Sequence, residues 1–175
     1  MSKKVIKFGL NTSDIDRAIR EVKQYKVDFQ KKVDTYRKRI ANEIAVQASL
    51  TFGSSTINDV VSGGDPRVPD VQVYVSERGA IAVVVAEGED AVWCEFGAGV
   101  YHNGGVGTSP HPKGSELGFT IGSYDKGRGK QQAWGYYDEN ENLVITRGTP
   151  ATMPMYNAAQ EVMRKAVEIA REVFG

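Results

Sequence analysis

The feature that most constrains the fold is an apolar stripe with helical spacing in the N-terminal part of the chain. Its members recur at steps of three, four and seven residues: Ile15, Ile19, Val22, Phe29, Val33, Tyr36, Ile40 and Ile44. This spacing predicts an amphipathic helix over 13–49. Ser13 is a favourable N-cap, and Asp16 follows three residues later in a capping-box arrangement. The helix would extend roughly 50 Å, which is longer than a domain of this size can cover, so we expect subunit contacts along it.

The remaining sequence predicts strands and one further helix. We assign a short strand to 5–10, a sheet to 71–96, a loop and hairpin insertion to 97–148, and a C-terminal helix to 153–174. The β-branched runs at 71–75 and 80–86 flank turn residues and predict a hairpin. A single α+β domain over 1–175 follows from this order. In it the long N-terminal helix and the C-terminal helix pack on a small, mostly antiparallel sheet.

Two local patterns refine this assignment. The stretch "AVWCEF" (91–96) is apolar and is compatible with either a short strand or a helical turn. The second hairpin turns around "DENEN" (138–142), whose Asn residues tolerate the left-handed backbone conformation of a tight turn. Pro154 suits the first position of the C-terminal helix, because its missing N–H would be unpaired there in any residue.

Composition excludes several classes of protein. No apolar run approaches the roughly 18 residues that span a bilayer, and the basic start lacks the apolar region of a secretory signal. A single cysteine excludes an internal disulfide framework, so we expect cytoplasmic synthesis. The net charge is zero, but residues 1–50 hold 12 Lys/Arg and 6 Asp/Glu, whereas the remainder holds 10 and 16. This asymmetry fits head-to-tail contact between identical subunits, and it fits ordinary solvated surfaces equally well.

The cysteine and the two histidines define the candidate chemistry. Cys94, His102 and His111 could form a nucleophile site in which Glu95 orients an imidazole. The aromatic neighbours of Cys94 instead suggest a small buried residue, since reactive cysteines lie beside cations or helix N-termini. Gaps of seven and eight residues separate these three in the sequence, unlike the closely paired ligands of structural zinc sites, and there is no obvious fourth ligand. We therefore expect no catalytic residue, no metal and no cofactor.

Nucleic-acid binding is the alternative that the charge pattern leaves open. The predicted long helix carries a candidate basic contact face made of Lys23, Lys31, Lys32, Lys38 and Arg39. Aromatic residues also lie near cations in "DKGRGKQQAWGYY", as in surfaces that contact phosphates and stack bases. Against this, the sequence pI is about 6.7, and no recognised nucleic-acid-binding motif is present.

Two segments together resemble a tailed-phage family of tail-component proteins, also described as tail-completion or head–tail joining proteins. "CEFGAGVY" is similar to the family's Glu-Phe-Gly-Thr/Ala segment, and "GTPATMPMYNAAQEV" is similar to its Pro-x-Pro-Phe/Met stretch, which opens a C-terminal helix. The start "VIKFGLNTSDIDRAI" also resembles the family's short strand, glycine and long helix. The chain departs from the pattern at Ala98, where Thr is usual, and in a longer stretch from His102 to Arg147. The matching residues are Glu95, Phe96, Gly97, Pro150, Met153, Pro154 and Met155.

The resemblance implies a non-enzymatic structural protein of the virion, located in the siphophage neck or upper tail. Such proteins form rings, here expected to contain six subunits, that complete the tail and join it to the head. The implied partners are other copies of the chain and neighbouring head-connector, tail-terminator or tail-tube proteins. Non-specific contact with phage DNA is possible in that position, and no membrane is involved. Localisation would be the host cytoplasm during assembly and then the virion.

Two hypotheses concern individual motif residues. Glu95 and Phe96 would stabilise the fold or a subunit contact by burial and hydrogen bonding; the alternative is an ordinary core Phe beside a surface Glu. Pro154 and Met155 would place the last helix against the sheet, with Met155 buried. Both hypotheses can be examined in the structure.

Overall fold

The computed structural model describes residues 5–7, 9–57, 59–60, 66–98, 109–119, 134–146 and 148–175. Within these ranges the elements in chain order are α1 (Thr12–Ser54), β1 (Asp59–Val60), β2 (Gln72–Arg78), β3 (Ile81–Glu87), α2 (Ala91–Phe96), β4 (Trp134–Tyr137), β5 (Leu143–Thr146) and α3 (Pro154–Phe174). Every strand pair is antiparallel. The predicted α+β fold is therefore confirmed, with a long N-terminal helix, a C-terminal helix and small antiparallel sheets.

The two long helices pack against each other in antiparallel orientation. At one end, the hydroxyls of Ser55 and Thr152 are 2.7 Å apart. Towards the other end, the rings of Phe29 and Phe174 have centroids 5.8 Å apart. With 43 residues against 21, α1 is about 64 Å long and α3 about 31 Å long. The first 17 residues of α1, 12–28, consequently extend beyond the end of α3.

The strands form two separate sheets rather than the single sheet expected. One is the β2–β3 hairpin, in which Val73 pairs with Ala86 and Val75 with Val84. The other has the order β1–β5–β4. The tip of the β2–β3 hairpin lies on α1, where the Arg37 guanidinium donates to the carbonyl of Gly79 at 3.2 Å. The hairpin and α3 thus both pack along the C-terminal part of α1.

A small apolar core joins the end of α1 to α2. Its buried members are Phe52, Ile57, Ala91 and Cys94. Half-buried residues of the hairpin region and of α3 pack around it: Val71, Val73, Ala86 and Met155. The helix α1 continues beyond its predicted end at residue 49 because the added turn places Phe52 in this core. Since α2 sits at this junction, its residues are positioned by the end of α1, the β2–β3 hairpin and the start of α3.

The start of the chain differs from the prediction in two ways. The described residues of 5–10 (5–7, 9 and 10) form no strand; Val5 and Leu10 are exposed, and a strand without a partner leaves its backbone groups unpaired. Phe8 lies outside the described residues. The N-cap is Asn11 rather than Ser13: its side chain accepts the backbone N–H of Asp14 at 2.8 Å. The cap pattern occurs twice in "NTSDID", two residues apart, and the earlier copy is used.

The segment 91–96 is a helix, so its assignment to the sheet over 71–96 is wrong. Asp90 precedes this helix and is buried, where it accepts the backbone N–H of Asp70 at 2.9 Å and pairs with the Arg67 guanidinium. The backbone N–H of Gly97 donates to the carbonyl of Trp93 at 2.8 Å and closes the last turn. Anchoring by residues 20 or more positions away explains why the local pattern was ambiguous.

The hairpin predicted around "DENEN" forms between β4 and β5, but its left-handed residue is not an asparagine. Asp138 accepts the backbone N–H groups of Asn140 and Asn142 at 2.9 and 2.8 Å. Glu141 takes the left-handed conformation, with φ of 61°. These hydrogen bonds lower the pKa of Asp138, because they favour its charged form. The carboxylate of Asp138 therefore organises the turn.

Candidate functional site

Cys94, the first candidate for chemistry, is fully buried in the core. Burial raises the pKa of its thiol to about 12, and the nearby charge of Asp90 adds to this effect. A thiol with such a pKa is protonated at neutral pH, whereas nucleophilic cysteines need an accessible thiolate. The backbone of Cys94 has a clear structural use, since its carbonyl accepts the N–H groups of Thr152 and Met153 at 2.9 and 3.1 Å.

The Glu95 side chain caps the N-terminus of α3. Its two carboxylate oxygens accept the backbone N–H groups of Met155 at 2.8 Å and Tyr156 at 2.9 Å. The first N–H groups of a helix have no partner within the helix, and a negative charge there is favoured by the helix dipole. The helix's own N-cap residue, Met153, provides no side-chain hydrogen bond. We call this contact the Glu95 clamp.

His111 supports the clamp from the opposite side. Its Nδ1 accepts the backbone N–H of Lys113 at 3.1 Å, and its Nε2 lies 3.3 Å from a carboxylate oxygen of Glu95. With Nδ1 used as an acceptor for a backbone N–H, the Nε2 side of the ring faces the Glu95 carboxylate. Both side chains are buried. The other histidine of the nucleophile and zinc sites that the sequence analysis considered and disfavoured, His102, lies outside the described residues.

Aromatic rings surround the clamp. Phe96 stacks on Phe119 with centroids 4.2 Å apart and an interplanar angle of 6°, and its ring centroid lies 4.5 Å from that of His111. The rings of His111 and Tyr156 meet edge to face at 5.2 Å. These four residues form the aromatic cluster, which holds the segment 109–119 against α2 and the start of α3. Such pairs add stabilisation beyond the apolar area they bury.

The chain before α3 is tied to the chain after α2. Ala98 and Thr149 exchange backbone hydrogen bonds of 2.8 and 2.9 Å. Gly97 is buried with φ of 78°, a conformation that side chains rarely adopt. Half-buried Pro150 follows Thr149 directly, and Met153 has the left-handed angles φ 50° and ψ 52°. The left-handed conformation of Met153 is unfavourable for a side-chain-bearing residue. It directly precedes the first turn of α3, whose N–H groups Glu95 accepts.

The two motif segments are therefore brought together. Glu95 and Gly97 are buried, as is Pro154, and Phe96 and Met155 are half-buried. Glu95 is 8 % exposed, so the alternative of a surface Glu is wrong. Sequence reasoning missed the roles of Phe119 and Tyr156. Neither carries a local signal, because their partners lie many residues away in the chain.

The candidate basic contact face of α1 is partly used within the chain. Lys38 lies 3.0 Å from Glu77 of the hairpin, and Arg39 lies 2.6 Å from Glu172 of α3. The ammonium of Lys32 donates to the carbonyl of Phe174, the last residue of α3, at 3.4 Å. The remaining two members of the face are exposed. Three of the five residues are thus engaged with other elements of the same chain, and Lys23 and Lys31 are open to solvent.

Further tests address metals, membranes and relatives. Among the described residues, we find no group of three or more His, Cys, Asp or Glu side chains arranged to hold a metal ion. Over the same residues, every helix is too short or too polar to cross a bilayer. Comparison with protein-family models, curated proteins and solved structures finds no match.

Proposed function

We propose that the chain is a structural subunit of the siphophage neck or upper tail. In this proposal, copies of the chain assemble into a ring that completes the tail and joins it to the head connector, without catalysing a reaction. The observation that carries the proposal is the Glu95 clamp. It joins the two segments on which the resemblance to the phage family depends.

The clamp strengthens the resemblance because it links residues that are distant in sequence. Glu95 belongs to the Glu-Phe-Gly segment, whereas Met155 lies 60 residues later in the stretch that opens the last helix. Two short matches that arose by chance need not meet in space. Here they meet through a buried carboxylate on two backbone N–H groups, which is an arrangement that requires both segments. This supports a common structural motif.

The groups that suggested chemistry are occupied by structural contacts. The Cys94 thiol lies in the core, and the Glu95 carboxylate accepts from α3. His111 is held between the backbone of Lys113 and Glu95. Each polar atom engaged in this way would have to break a buried hydrogen bond before it could act on a substrate, which costs free energy. The arrangement favours a structural role over a catalytic one.

Nucleic-acid binding remains the second candidate. Lys23 and Lys31 are exposed on α1 and could contact phosphates, but Lys38 and Arg39 are paired with acidic residues of the same chain. We rank it below the ring subunit for that reason. It predicts retention of the purified protein on DNA, with an affinity that falls steeply with salt. Loss of retention at moderate salt would exclude it as the main activity.

Electron microscopy of the purified chain tests the ring. We expect closed rings with one subunit number, and native mass spectrometry should give a matching mass. In particles whose genome encodes the chain, antibody labelling should mark the joint between head and tail. A chain that stays monomeric at every concentration, or that is absent from purified particles, would contradict the proposal.

A further inference from the structure

The N-terminal part of α1 carries an apolar face beyond the reach of its own partner helix. We call residues 12–28 the overhang. Phe29 contacts Phe174, which is the last residue of α3. At about 1.5 Å per residue, the overhang projects roughly 25 Å further. It is a regular helix over its full length.

The apolar stripe of α1 continues into the overhang. Ile15, Ile19 and Val22 are 39, 46 and 53 % exposed. They precede Phe29 at helical steps of four, three and seven residues, so they lie on the face that packs against α3 further along. An apolar face that continues past its partner commonly marks a contact with another protein. The packing surface of α1 is therefore only partly covered within one chain.

The helix α3 offers a second apolar face that fits the overhang. It buries Val162 and Ile169, which lie on the same side as Ala166, whose carbonyl accepts from Tyr36 of α1. Met163 and Val167 lie one turn apart on a neighbouring side and are 63 and 62 % exposed. One face of α3 thus packs on its own α1, and the adjacent face is open to a second helix.

The charges beside the two faces are complementary. On the overhang, Glu21 and Asp28 lie seven residues apart beside the apolar stripe. Asp14 precedes Glu21 by the same interval and is paired with Arg17 of its own helix at 2.7 Å, a pair that the contact would have to rearrange. On α3, Arg164 and Arg171 have the same spacing and border the exposed face. Arg164 also lies 3.7 Å from Glu161 of its own helix, and both side chains are exposed enough to exchange partners. Seven helical residues span about 10.5 Å, so the acidic and basic rows repeat at the same distance. Opposite rows of this kind set the register and orientation of a helix pair.

We propose that the overhang of one copy packs on the Met163–Val167 face of α3 in a second copy. Each copy then uses its overhang once and its α3 face once, which is a heterologous contact that can close into a ring. In the assembly, α3 is sandwiched between its own α1 and the overhang of the neighbour. The inference deepens the proposed function, since it rests on self-assembly and names the surfaces that make the contact.

Disulfide trapping tests the contact directly. Ile19→Cys and Met163→Cys, combined in one chain and oxidised, should give a ladder of dimers, trimers and larger species on a non-reducing gel. Disulfides need β-carbons about 3.5–4.5 Å apart, so the ladder reports close approach. The native Cys94 does not interfere, because it is buried and its thiol has a pKa of about 12. The control pairs Ile19→Cys with Leu117→Cys, an exposed position outside α3.

The single-cysteine variants distinguish this contact from other occupants. Ile19→Cys alone should stay monomeric on the gel, and an equimolar mixture with Met163→Cys alone should stop at dimers. Efficient dimers of Ile19→Cys alone would show that two overhangs pair with each other and would overturn the proposal. An equal ladder from the control pair, or none from the test pair, would also overturn it.

Charge reversal provides an independent measurement. Glu21→Arg should weaken self-association several-fold in sedimentation experiments, because it places like charges opposite each other. Arg164→Glu in the same chain should restore much of the loss. Glu21 is half-buried and Arg164 is exposed, and neither belongs to the core, so far-ultraviolet circular dichroism should show unchanged helix content. Equal association by Glu21→Arg and the unmodified protein would count against the contact.

The two proposals fail in different ways. Uniform rings by electron microscopy without the expected cross-links would overturn the docking contact and leave the ring subunit standing. The expected ladder from a chain that is missing from phage particles would support the contact and overturn the neck assignment.

Discussion

Replacing Glu95 with alanine tests the central structural claim. The variant removes the acceptor of two N–H groups at the start of α3, those of Met155 and Tyr156. A buried donor left without a partner costs about 1–3 kcal/mol, so two donors give a range of about 2–6 kcal/mol. The lower part of this range applies because the variant also removes the cost of burying a carboxylate and leaves space for a water molecule that can accept from the two N–H groups. We therefore expect a loss of about 2–4 kcal/mol in the free energy of unfolding.

The measurement is reversible unfolding in guanidinium and by heat, followed by circular dichroism at neutral pH. For a chain of this length, about 2–4 °C in Tm corresponds to 1 kcal/mol, which predicts a decrease of roughly 4–16 °C. Glu95→Gln should lose about half as much, because its amide oxygen still accepts one N–H while its amino group faces the other. Glu161→Ala is the matched control: this acid lies on the outer surface of α3, paired with Lys165, and its loss should barely change Tm.

Hydrogen exchange separates loss of the clamp from general destabilisation. The amides of Met155 and Tyr156 should exchange faster in Glu95→Ala under conditions where the fold is intact. The amide of Asn157 donates to the carbonyl of Met153 and should keep more of its protection. If Glu95→Ala changed stability by less than about 0.5 kcal/mol, the range of an ordinary surface substitution, the reasoning would be refuted.

The remaining predictions concern neighbouring residues. The Cys94 thiol should resist alkylation near pH 8 in the folded protein and react fully in denaturant, since burial raises its pKa to about 12; rapid labelling of the native chain would contradict this. Phe96→Ala should cost about 2–4 kcal/mol in denaturant unfolding, and a double-mutant cycle with Phe119→Ala should give about 0.5–1.5 kcal/mol of coupling. Additive effects would show that the stacked pair contributes nothing specific. Met153→Ile should be less stable than Met153→Gly by about 1–2 kcal/mol, because a branched side chain opposes left-handed angles; equal stabilities would argue against that conformation. Met155→Ala should lower the free energy of unfolding by about 2 kcal/mol, the low end for a core methionine, because the side chain is half-buried. A negligible loss in urea unfolding would show that the Met155 side chain does not stabilise the core.

Helical periodicity made the two long helices predictable. The stripe from Ile15 to Ile44 requires only that residues three and four apart share a face, which is a local property of the chain. Pro154 marked the start of α3 for a similarly local reason. The ends of α1 were less predictable, because the same cap pattern occurs at Asn11 and at Ser13, and because burial of Phe52 depends on packing.

The candidate site was predictable as a set of residues but not as an arrangement. The sequence singled out Glu95 and Met155 without indicating that one side chain caps the helix that begins beside the other. The sequence did not decide whether 91–96 is a strand or a helix. The start of α2 is fixed by Asp90, whose partners are the Arg67 side chain and the backbone of Asp70, and these contacts are not visible in the local pattern. His111 was considered as a ligand, although its ring is part of the aromatic cluster.

The sequence by itself determined the class of fold, because periodicity, caps and turn residues act over a few positions. It also identified the residues that carry the phage resemblance and the stripe that exceeds its own core. Only the tertiary structure decided that Glu95 is buried, that its charge is used on the backbone of α3, and that the Cys94 thiol is protonated. The contacts of Glu95 are with residues about 60 positions away, and Cys94 is buried in a core that includes Phe52 and Ile57. Burial and hydrogen bonding across such distances are absent from any local pattern.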